Sequence, residues 1–176
     1  MTEPKFGISA GGRSTEEKFR LLTGATKAAR AALGDAVLDG HSIEVKRATS
    51  NTLNQVRAVK YITLVAFHEP TISWYVVPAH NVVIMVSNKS RGQHTENPFE
   101  SATLSLGNLG KCRVPDENRL RHHVLAAIAE SAKYPALRAE MHLVLSRSKE
   151  LAVESIGSVR KAVASLGLGL PQDTDD

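Results

Sequence analysis

Two carboxylates and one ammonium group lie close together in residues 34–46. The acids are Asp35 and Glu44, and the amine is Lys46, two residues after Glu44. Between the acids, Asp39-Gly40 is a dipeptide typical of a two-residue hairpin turn, because a type I′ turn needs positive φ at both positions. Such a turn puts Asp35 opposite Glu44, and residues two apart in a strand share a face. The register therefore predicts that all three groups lie on one side of a hairpin.

An aspartate directly opposite a glutamate is unfavourable by itself, because like charges on facing strand positions repel each other. A divalent cation between Asp35 and Glu44 would reverse the sign of that interaction. Mg²⁺ prefers oxygen ligands, usually one or two carboxylates with water and substrate phosphate as the others. The pair therefore predicts a Mg²⁺ site beside Lys46, and this combination suits phosphodiester hydrolysis.

The composition is that of an ordinary globular protein. The chain has 176 residues, of which 42% are hydrophobic and 23% charged, so we expect one domain with a substantial core. No apolar run has the length of a membrane span, and the first residues lack the pattern of a secretory signal. A single cysteine, Cys112, excludes an internal disulfide. We therefore expect a cytoplasmic protein without a membrane partner.

Basic residues dominate the middle of the chain. Between Val45 and Thr95 the only acidic residue is Glu69. A basic zone beside an acidic pair favours a phosphate-rich partner, although a solvated basic surface explains the charges alone equally well. Candidate phosphate contacts are Arg47, Arg57, Lys60 and Arg91. Candidate readers of base edges are the polar residues Asn51, Asn54, Gln93, His94 and Asn97.

The pattern of apolar and turn residues predicts alternating helices and strands. Ser14 and Glu17 form a capping box, which predicts a first helix from there to about residue 32, ended by Gly34. Residues 47–54 are predicted to be a loop, and residues 53–60 are compatible with either helix or strand. Further predicted elements are strands at 61–67, 72–77 and 102–106 and a helix at 79–88.

The C-terminal part is predicted to be helical. One helix runs over 117–133, Tyr134-Pro135 breaks it, and a long helix follows over 136–166. These helices can pack as a helical hairpin on the core or pair across a dimer. We divide the chain into a flexible N-terminus (1–13), a core (14–110), a C-terminal helical region packed on it (111–168) and a disordered tail (169–176).

With a helix upstream and a β-hairpin around the acids, residues 14 to about 77 resemble the PD-(D/E)XK nuclease superfamily. This superfamily includes type II restriction endonucleases, Holliday-junction resolvases and repair nucleases. Asp35 matches the first acid, Glu44 the second acid and Lys46 the lysine, while Gly34 stands where the motif has proline. The resemblance implies an α/β fold with a restriction-endonuclease-like core, a central mixed sheet flanked by helices.

The resemblance also implies roles for individual residues. Asp35, Glu44 and the backbone carbonyl of Val45 would bind Mg²⁺, for which Mn²⁺ can substitute, and Lys46 would orient or deprotonate the attacking water. Members often carry a further glutamate on the first helix, for which Glu17 or Glu16 is available, although Glu17 also fits a purely structural capping role. Gln55 resembles a glutamine of some branches and is a further candidate for DNA binding; a surface amide is an equally good interpretation.

The function expected first is a Mg²⁺-dependent DNA endonuclease, a type II restriction endonuclease that acts as a homodimer on a short site in double-stranded DNA. The alternatives are a structure-selective nuclease, such as a Holliday-junction resolvase or repair nuclease, and a catalytically inactive DNA-binding module. A helical interaction protein that carries the three residues by coincidence is the remaining possibility.

Overall fold

The computed structural model describes residues 11–30, 34–58, 62–139 and 149–167 of the chain. The strands in these ranges are β1 (Thr26–Lys27), β2 (Ala36–Leu38), β3 (His41–Ala48), β4 (Thr52–Val56), β5 (Thr63–His68), β6 (Ser73–Val77), β7 (Ala102–Ser105) and β8 (Arg113–Val114). The α-helices are α1 (Gly11–Thr23), α2 (Ala79–Ser87), α3 (Leu120–Ser131), α4 (Pro135–Ala139) and α5 (Lys149–Ser165).

Six of these strands form one mixed sheet in the order β1-β2-β3-β5-β6-β8. The pair β3–β5 is parallel, and the other neighbouring pairs are antiparallel. β5 is buried along almost its whole length, as expected for a β-branched strand that is apolar on both faces. The predicted class, an α/β fold with a central mixed sheet flanked by helices, is confirmed.

Each face of the sheet has its own hydrophobic core, because successive side chains of a strand point to opposite faces. On the first face, Val65 of β5 packs in one cluster with Phe19 of α1 and Val124 of α3. On the second face, Leu64 and Ala66 pack in one cluster with residues of α2, α4 and α5. These helix residues are Val82, Val83, Leu137, Val159 and Val163. The sheet is therefore a rigid platform covered on both sides.

The first helix differs from its prediction at both ends. α1 begins at Gly11, so Ser14 and Glu17 lie inside it and do not form a capping box. It ends at Thr23, because Gly24 adopts a left-handed conformation (φ 71°) and its N–H donates to the carbonyl of Arg20. The chain then enters β1, which pairs with β2. Gly24, not Gly34, is thus the residue that ends the helix. Of the stretch 1–13 that was predicted to be flexible, residues 11–13 belong to α1 and residues 1–10 lie outside the described ranges.

The predicted loop at 47–54 is also wrong. β3 continues to Ala48, and β4 begins at Thr52 and pairs with β7, which lies about 50 residues further along the chain. Leu53 and Val56 bury their side chains in the second core, and this packing stabilises a strand in an otherwise polar stretch. Residues 53–60 were compatible with either helix or strand, and residues 53–56 belong to the strand β4.

The remaining elements agree with their predictions except in the C-terminal part. β5, β6, β7, α2 and α3 lie where helices and strands were expected. β8 is a strand inside the region predicted to be helical, and it extends the sheet beyond residue 110 by pairing with β6. The predicted long helix is described only at its two ends, and residues 140–148 and the predicted tail lie outside the described ranges. No helix in the described ranges has the length and apolar composition to span a membrane.

Candidate active site

The hairpin between β2 and β3 has the register predicted from the sequence. Asp39 and Gly40 form its turn with φ values of 48° and 81°, and Ala36 lies opposite Ile43. Both φ values are positive, as a type I′ turn requires. Asp35 directly precedes β2, and the pairing of Ala36 with Ile43 places it next to Glu44.

Asp35 is fixed by the backbone of β3. Its own N–H donates to the carbonyl of Ile43 at 2.9 Å, and its Oδ2 accepts the N–H of Val45 at 2.8 Å. In an antiparallel pair, the N–H and C=O of one residue point to the same neighbouring strand. The carbonyl of Val45 therefore points towards the edge where the carboxylate of Asp35 lies.

Gly34 allows the chain to approach β3 this closely. Its φ is 96°, and an ideal Cβ at this position would lie 2.8 Å from the carbonyl oxygen of Ile43. A side chain would collide with this backbone atom, which cannot move without disturbing the strand. The glycine before Asp35 thus has a packing reason, and it places Asp35 against β3.

Glu44 and Lys46 point to the same face of β3 and form an ion pair. The Nζ of Lys46 lies 3.1 Å from Oε1 of Glu44, and their side chains are 25% and 12% exposed. On the parallel neighbour β5, the paired residues are Leu64 and Ala66. The pair is thus mostly buried next to apolar residues of β5, where charge interactions are less screened than in open solvent.

A third carboxylate comes from α1, and it belongs to Glu16. Burial raises the pKa of Glu16, the negative charge of Asp35 raises it further, and Glu44 adds a smaller effect in the same direction. Arg20 and Lys27 oppose these effects. The side chain of Glu16 therefore lies in the field of both hairpin acids.

Glu17, the helix residue named first at this place, is exposed. Consecutive residues of an α-helix differ by about 100° in direction, so a helix that turns Glu16 towards the hairpin turns Glu17 away from it. The sequence offered both residues, and of the two it is Glu16 that lies near Asp35 and Glu44.

Arg20 is a cation of this site that the sequence analysis did not single out. It lies one turn after Glu16, and its guanidinium is 3.9 Å from Oε2 of Glu16. Among the described residues, its Nη1 has no hydrogen-bond partner although the atom is shielded from solvent. The site thus combines three acids with the cations Arg20 and Lys46. The spacing of Glu16 and Arg20 at i, i+4 on α1 was the signal for this pair in the sequence.

The oxygen donors at the hairpin suit a hard divalent cation. Two carboxylates and a strand carbonyl are the kind of donor set with which Mg²⁺ completes its shell from water and phosphate. Burial and, after it, the charge of Asp35 raise the pKa of Glu16, so a cation at this place would favour the charged form of its carboxyl group. In the described ranges, however, no three His, Cys, Asp or Glu side chains are arranged to hold a metal ion by themselves. An ion bound by these donors would need water or substrate oxygens as its further ligands.

The nucleic-acid candidates are divided between two places. Arg47 points to the opposite face of β3 from Glu44 and Lys46 and pairs with Glu69, so it does not join the site. Lys60 lies outside the described residues. The others lie on β4 or on the loops around β4 and β7; Asn51, Asn54, Gln55, Arg57, Arg91 and His94 are exposed, and Gln93 and Asn97 are partly buried.

Comparison with known proteins adds no relative: no protein-family model, curated protein or solved structure matches the chain. The chemistry of the site is therefore inferred from its own residues.

Proposed function

We propose that the protein is a Mg²⁺-dependent DNA endonuclease that hydrolyses phosphodiester bonds at Asp35, Glu44 and Lys46. The observation that supports this most is the position of the Asp35 carboxylate, which is bound to the N–H of Val45 next to the Glu44–Lys46 pair. Two acids, a strand carbonyl and an amine within one hairpin form a compact site for a phosphate and a cation.

Asp35, Glu44 and the carbonyl of Val45 would hold the ion. A bound Mg²⁺ supplies positive charge against the phosphodiester and acidifies water at the site. The protein contributes the fixed orientation of the donors: the backbone of β3 holds Asp35, and Lys46 holds Glu44. Mn²⁺ has similar preferences for oxygen donors and would substitute.

Lys46 and the residues of α1 act on the water and the phosphate. Lys46 orients the water that attacks the phosphorus in line, and its charge opposes the negative charge that develops on the phosphate oxygens. Glu16 accepts a hydrogen bond from water at the same place. Arg20, whose Nη1 makes no hydrogen bond among the described residues, offers its N–H groups to a phosphate oxygen.

A restriction-endonuclease-like core is part of this proposal. The succession of α1, the β2–β3 hairpin and the central strand β5, with helices on both faces, supports it. The proposal extends to a cytoplasmic homodimer of the type II restriction class acting on a short duplex site. In such a dimer each subunit would cut one strand, since each chain has one set of these residues.

A plasmid digest tests the proposal. Supercoiled DNA is incubated with the protein in Mg²⁺ and in EDTA, and the ends of the products are sequenced. The expected result is Mg²⁺-dependent cutting that Glu44→Gln and Lys46→Ala each abolish, while Glu154→Gln, at an exposed position of α5, cuts normally. The loss of cutting in the first two variants, purified in the same way, also excludes a contaminating nuclease.

The products separate the classes of nuclease. Discrete fragments with common end sequences indicate a restriction enzyme, whereas cutting confined to branched substrates indicates a junction resolvase. No cleavage of duplex, branched or single-stranded DNA by wild-type protein would refute the nuclease proposal.

A further inference from the structure

β4 and β7 form a separate two-stranded antiparallel ribbon, and its two faces differ sharply. One face packs into the second core through Leu53, Val56, Ala102 and Leu104. The opposite face carries only amides and hydroxyls, namely Thr52, Asn54, Gln55, Thr103 and Ser105, which are exposed or partly exposed. The sequence has no acidic residue in 50–58 or 101–106, and Arg57 directly follows β4. The ribbon thus offers solvent a neutral face of hydrogen-bonding groups.

A β-bulge in β4 directs two of these amides outward. Leu53 pairs with Leu104 and Val56 with Ala102, so Asn54 and Gln55 together face Thr103. Gln55 has a φ of 54°, a left-handed conformation that is uncommon for this residue type. Bulges of this kind change the direction of side chains and often lie beside functional sites.

The loop before β7 holds the bulge in place. The backbone N–H of Gln55, which the bulge removes from the ladder, donates to Oε1 of Gln93 at 2.9 Å. Gln93 is held by its own N–H, which donates to the carbonyl of Ser101 at 2.7 Å. An ideal Cβ on Gly92 would lie 2.5 Å from the same carbonyl oxygen, so the loop depends on a glycine there. The strained residue is thus supported from outside its own strand.

The ribbon lies on the side of the main sheet to which the catalytic candidates point. Glu44, Lys46 and Ala48 alternate along β3 and therefore share a face. Ala48 belongs to the same buried cluster as Leu53 and Val56 of the ribbon. A duplex bound at Lys46 would therefore lie on the side from which the ribbon extends.

We propose that the ribbon enters the major groove of the duplex and that Asn54 and Gln55 read base edges there; this rests on the proposed nuclease function. The major groove of B-DNA admits a two-stranded β-ribbon, and asparagine and glutamine amides pair with the N6 and N7 edge of adenine. A neutral face suits base edges, while Arg57 and Arg91, both exposed, suit the phosphates beside the groove. Gln93 acts as a positioning residue through its bond to Gln55.

Selection of binding sites tests the inference independently of cleavage. The wild-type protein is mixed with a library of randomised duplexes in EDTA, and the bound DNA is sequenced over several rounds. Asn54→Ala and Gln55→Gly are compared with it; glycine adopts the positive φ of this position without strain, so the second variant removes the side chain alone. Arg57→Ala is the matched control for a phosphate contact.

The expected result is an enriched sequence in which each amide variant loses about tenfold or more of the preference at particular base pairs. Arg57→Ala should weaken binding to all sequences alike. Melting curves of the variants should match that of the wild type, because both amides are exposed. Gln93→Leu, which removes the acceptor for the N–H of Gln55, should weaken the base preference at the same positions.

An unchanged preference in both amide variants, or no sequence enriched by the wild type, would overturn the inference even if the plasmid is cut. Conversely, an enriched sequence that depends on Asn54 and Gln55, in a protein that cuts no DNA, would support the ribbon while refuting the nuclease. The two proposals therefore fail in different assays.

Discussion

The Oδ2 atom of Asp35 accepts a hydrogen bond from the backbone N–H of Val45 at 2.8 Å. The side-chain oxygen thus takes the place of the backbone carbonyl that would accept this N–H in a regular antiparallel pair. The orientation of the carboxylate is thus set by the strand that carries Glu44 and Lys46, so the three groups share one rigid frame. Hydrogen bonds to a carboxylate are roughly twice as strong as neutral ones, which adds to this rigidity.

Asp35→Asn and Asp35→Ala should separate the structural role of this residue from its chemical role. Asparagine keeps an oxygen for the N–H of Val45 and removes a negative charge from the acid cluster, so its free energy of unfolding should equal or exceed that of the wild type. Alanine leaves the N–H unsatisfied and should be about 1–2 kcal/mol less stable than the asparagine variant. Urea denaturation measures this difference, while both variants should lose DNA cleavage. Equal stability of the two variants would contradict the structural role.

Gly34→Ala should destabilise the hairpin and reduce cleavage. A Cβ would lie 2.8 Å from the carbonyl oxygen of Ile43, at a φ of 96° that only glycine adopts without strain. The expected cost is about 2–3 kcal/mol, seen as a lower midpoint of urea denaturation. Gly40→Ala is a useful comparison, since no atom lies within 4 Å of an ideal Cβ there and only the conformational strain at φ 81° remains. If Gly34→Ala is no less stable than Gly40→Ala, the close approach is not restrictive.

Glu16→Gln and Glu17→Gln form a matched pair on α1. Burial and the charge of Asp35 raise the pKa of Glu16, so its charged form is disfavoured in the folded protein. Glu16→Gln should therefore be more stable than the wild type at neutral pH, and the difference should vanish as the pH falls through the raised pKa and the wild-type carboxylate becomes protonated. Cleavage should fall about tenfold or more in this variant, while Glu17→Gln should leave both cleavage and stability unchanged. Denaturation at several pH values and a cleavage time course measure these effects, and equal cleavage by the two variants would exclude a role for Glu16.

Local signals in the sequence were sufficient for the hairpin. Asp39-Gly40 determines the turn by its own backbone preferences, and the turn then determines the register of every pair up to Ala36 and Ile43. Helix ends were harder: Gly34 was predicted to end the first helix, whereas Gly24 ends it. The choice depends on the pairing of Thr26 and Lys27 with β2, which is a tertiary contact of two exposed residues.

Long-range packing explains the other differences. β4 is polar at most positions, and only its pairing with β7 and the burial of Leu53 and Val56 stabilise it as a strand. Likewise, the choice between Glu16 and Glu17 depends on the rotation of α1 about its axis when Phe19 packs under the sheet. The position of Arg20 follows from that same rotation, so its i, i+4 spacing from Glu16 does not by itself place it at the site.

Arg121→Ala should loosen the hairpin turn. The guanidinium of Arg121 on α3 donates to the carbonyl of Thr23 at 2.6 Å and to both carboxylate oxygens of Asp39 at 3.0 and 3.1 Å. It thereby ties the end of α1 and the turn to α3. The pair with Asp39 is exposed and worth at most about 1 kcal/mol, and the bond to Thr23 is worth about as much, so we expect a total loss of about 1–2 kcal/mol. Asp39→Asn keeps a residue that suits the turn and should cost less than half of that; thermal or urea denaturation compares the two variants.

His80→Gln should reduce the loss of stability in mild acid. His80 is buried, stacks on Tyr134 and lies 3.3 Å from the hydroxyl of Ser131. Burial lowers its pKa, with a smaller opposing effect from Glu130 and a lowering one from Lys133. The folded protein therefore binds a proton at His80 less readily than the unfolded chain, so stability is fully present above the ordinary histidine pKa of about 6.5 and is lost as the pH falls through the lowered folded value. Glutamine can keep a hydrogen bond to Ser131 but does not titrate, so the variant should be less stable at pH 8 and yet lose less stability between pH 8 and pH 5. Parallel pH dependences of the two proteins in urea denaturation would show that His80 does not titrate differently on folding.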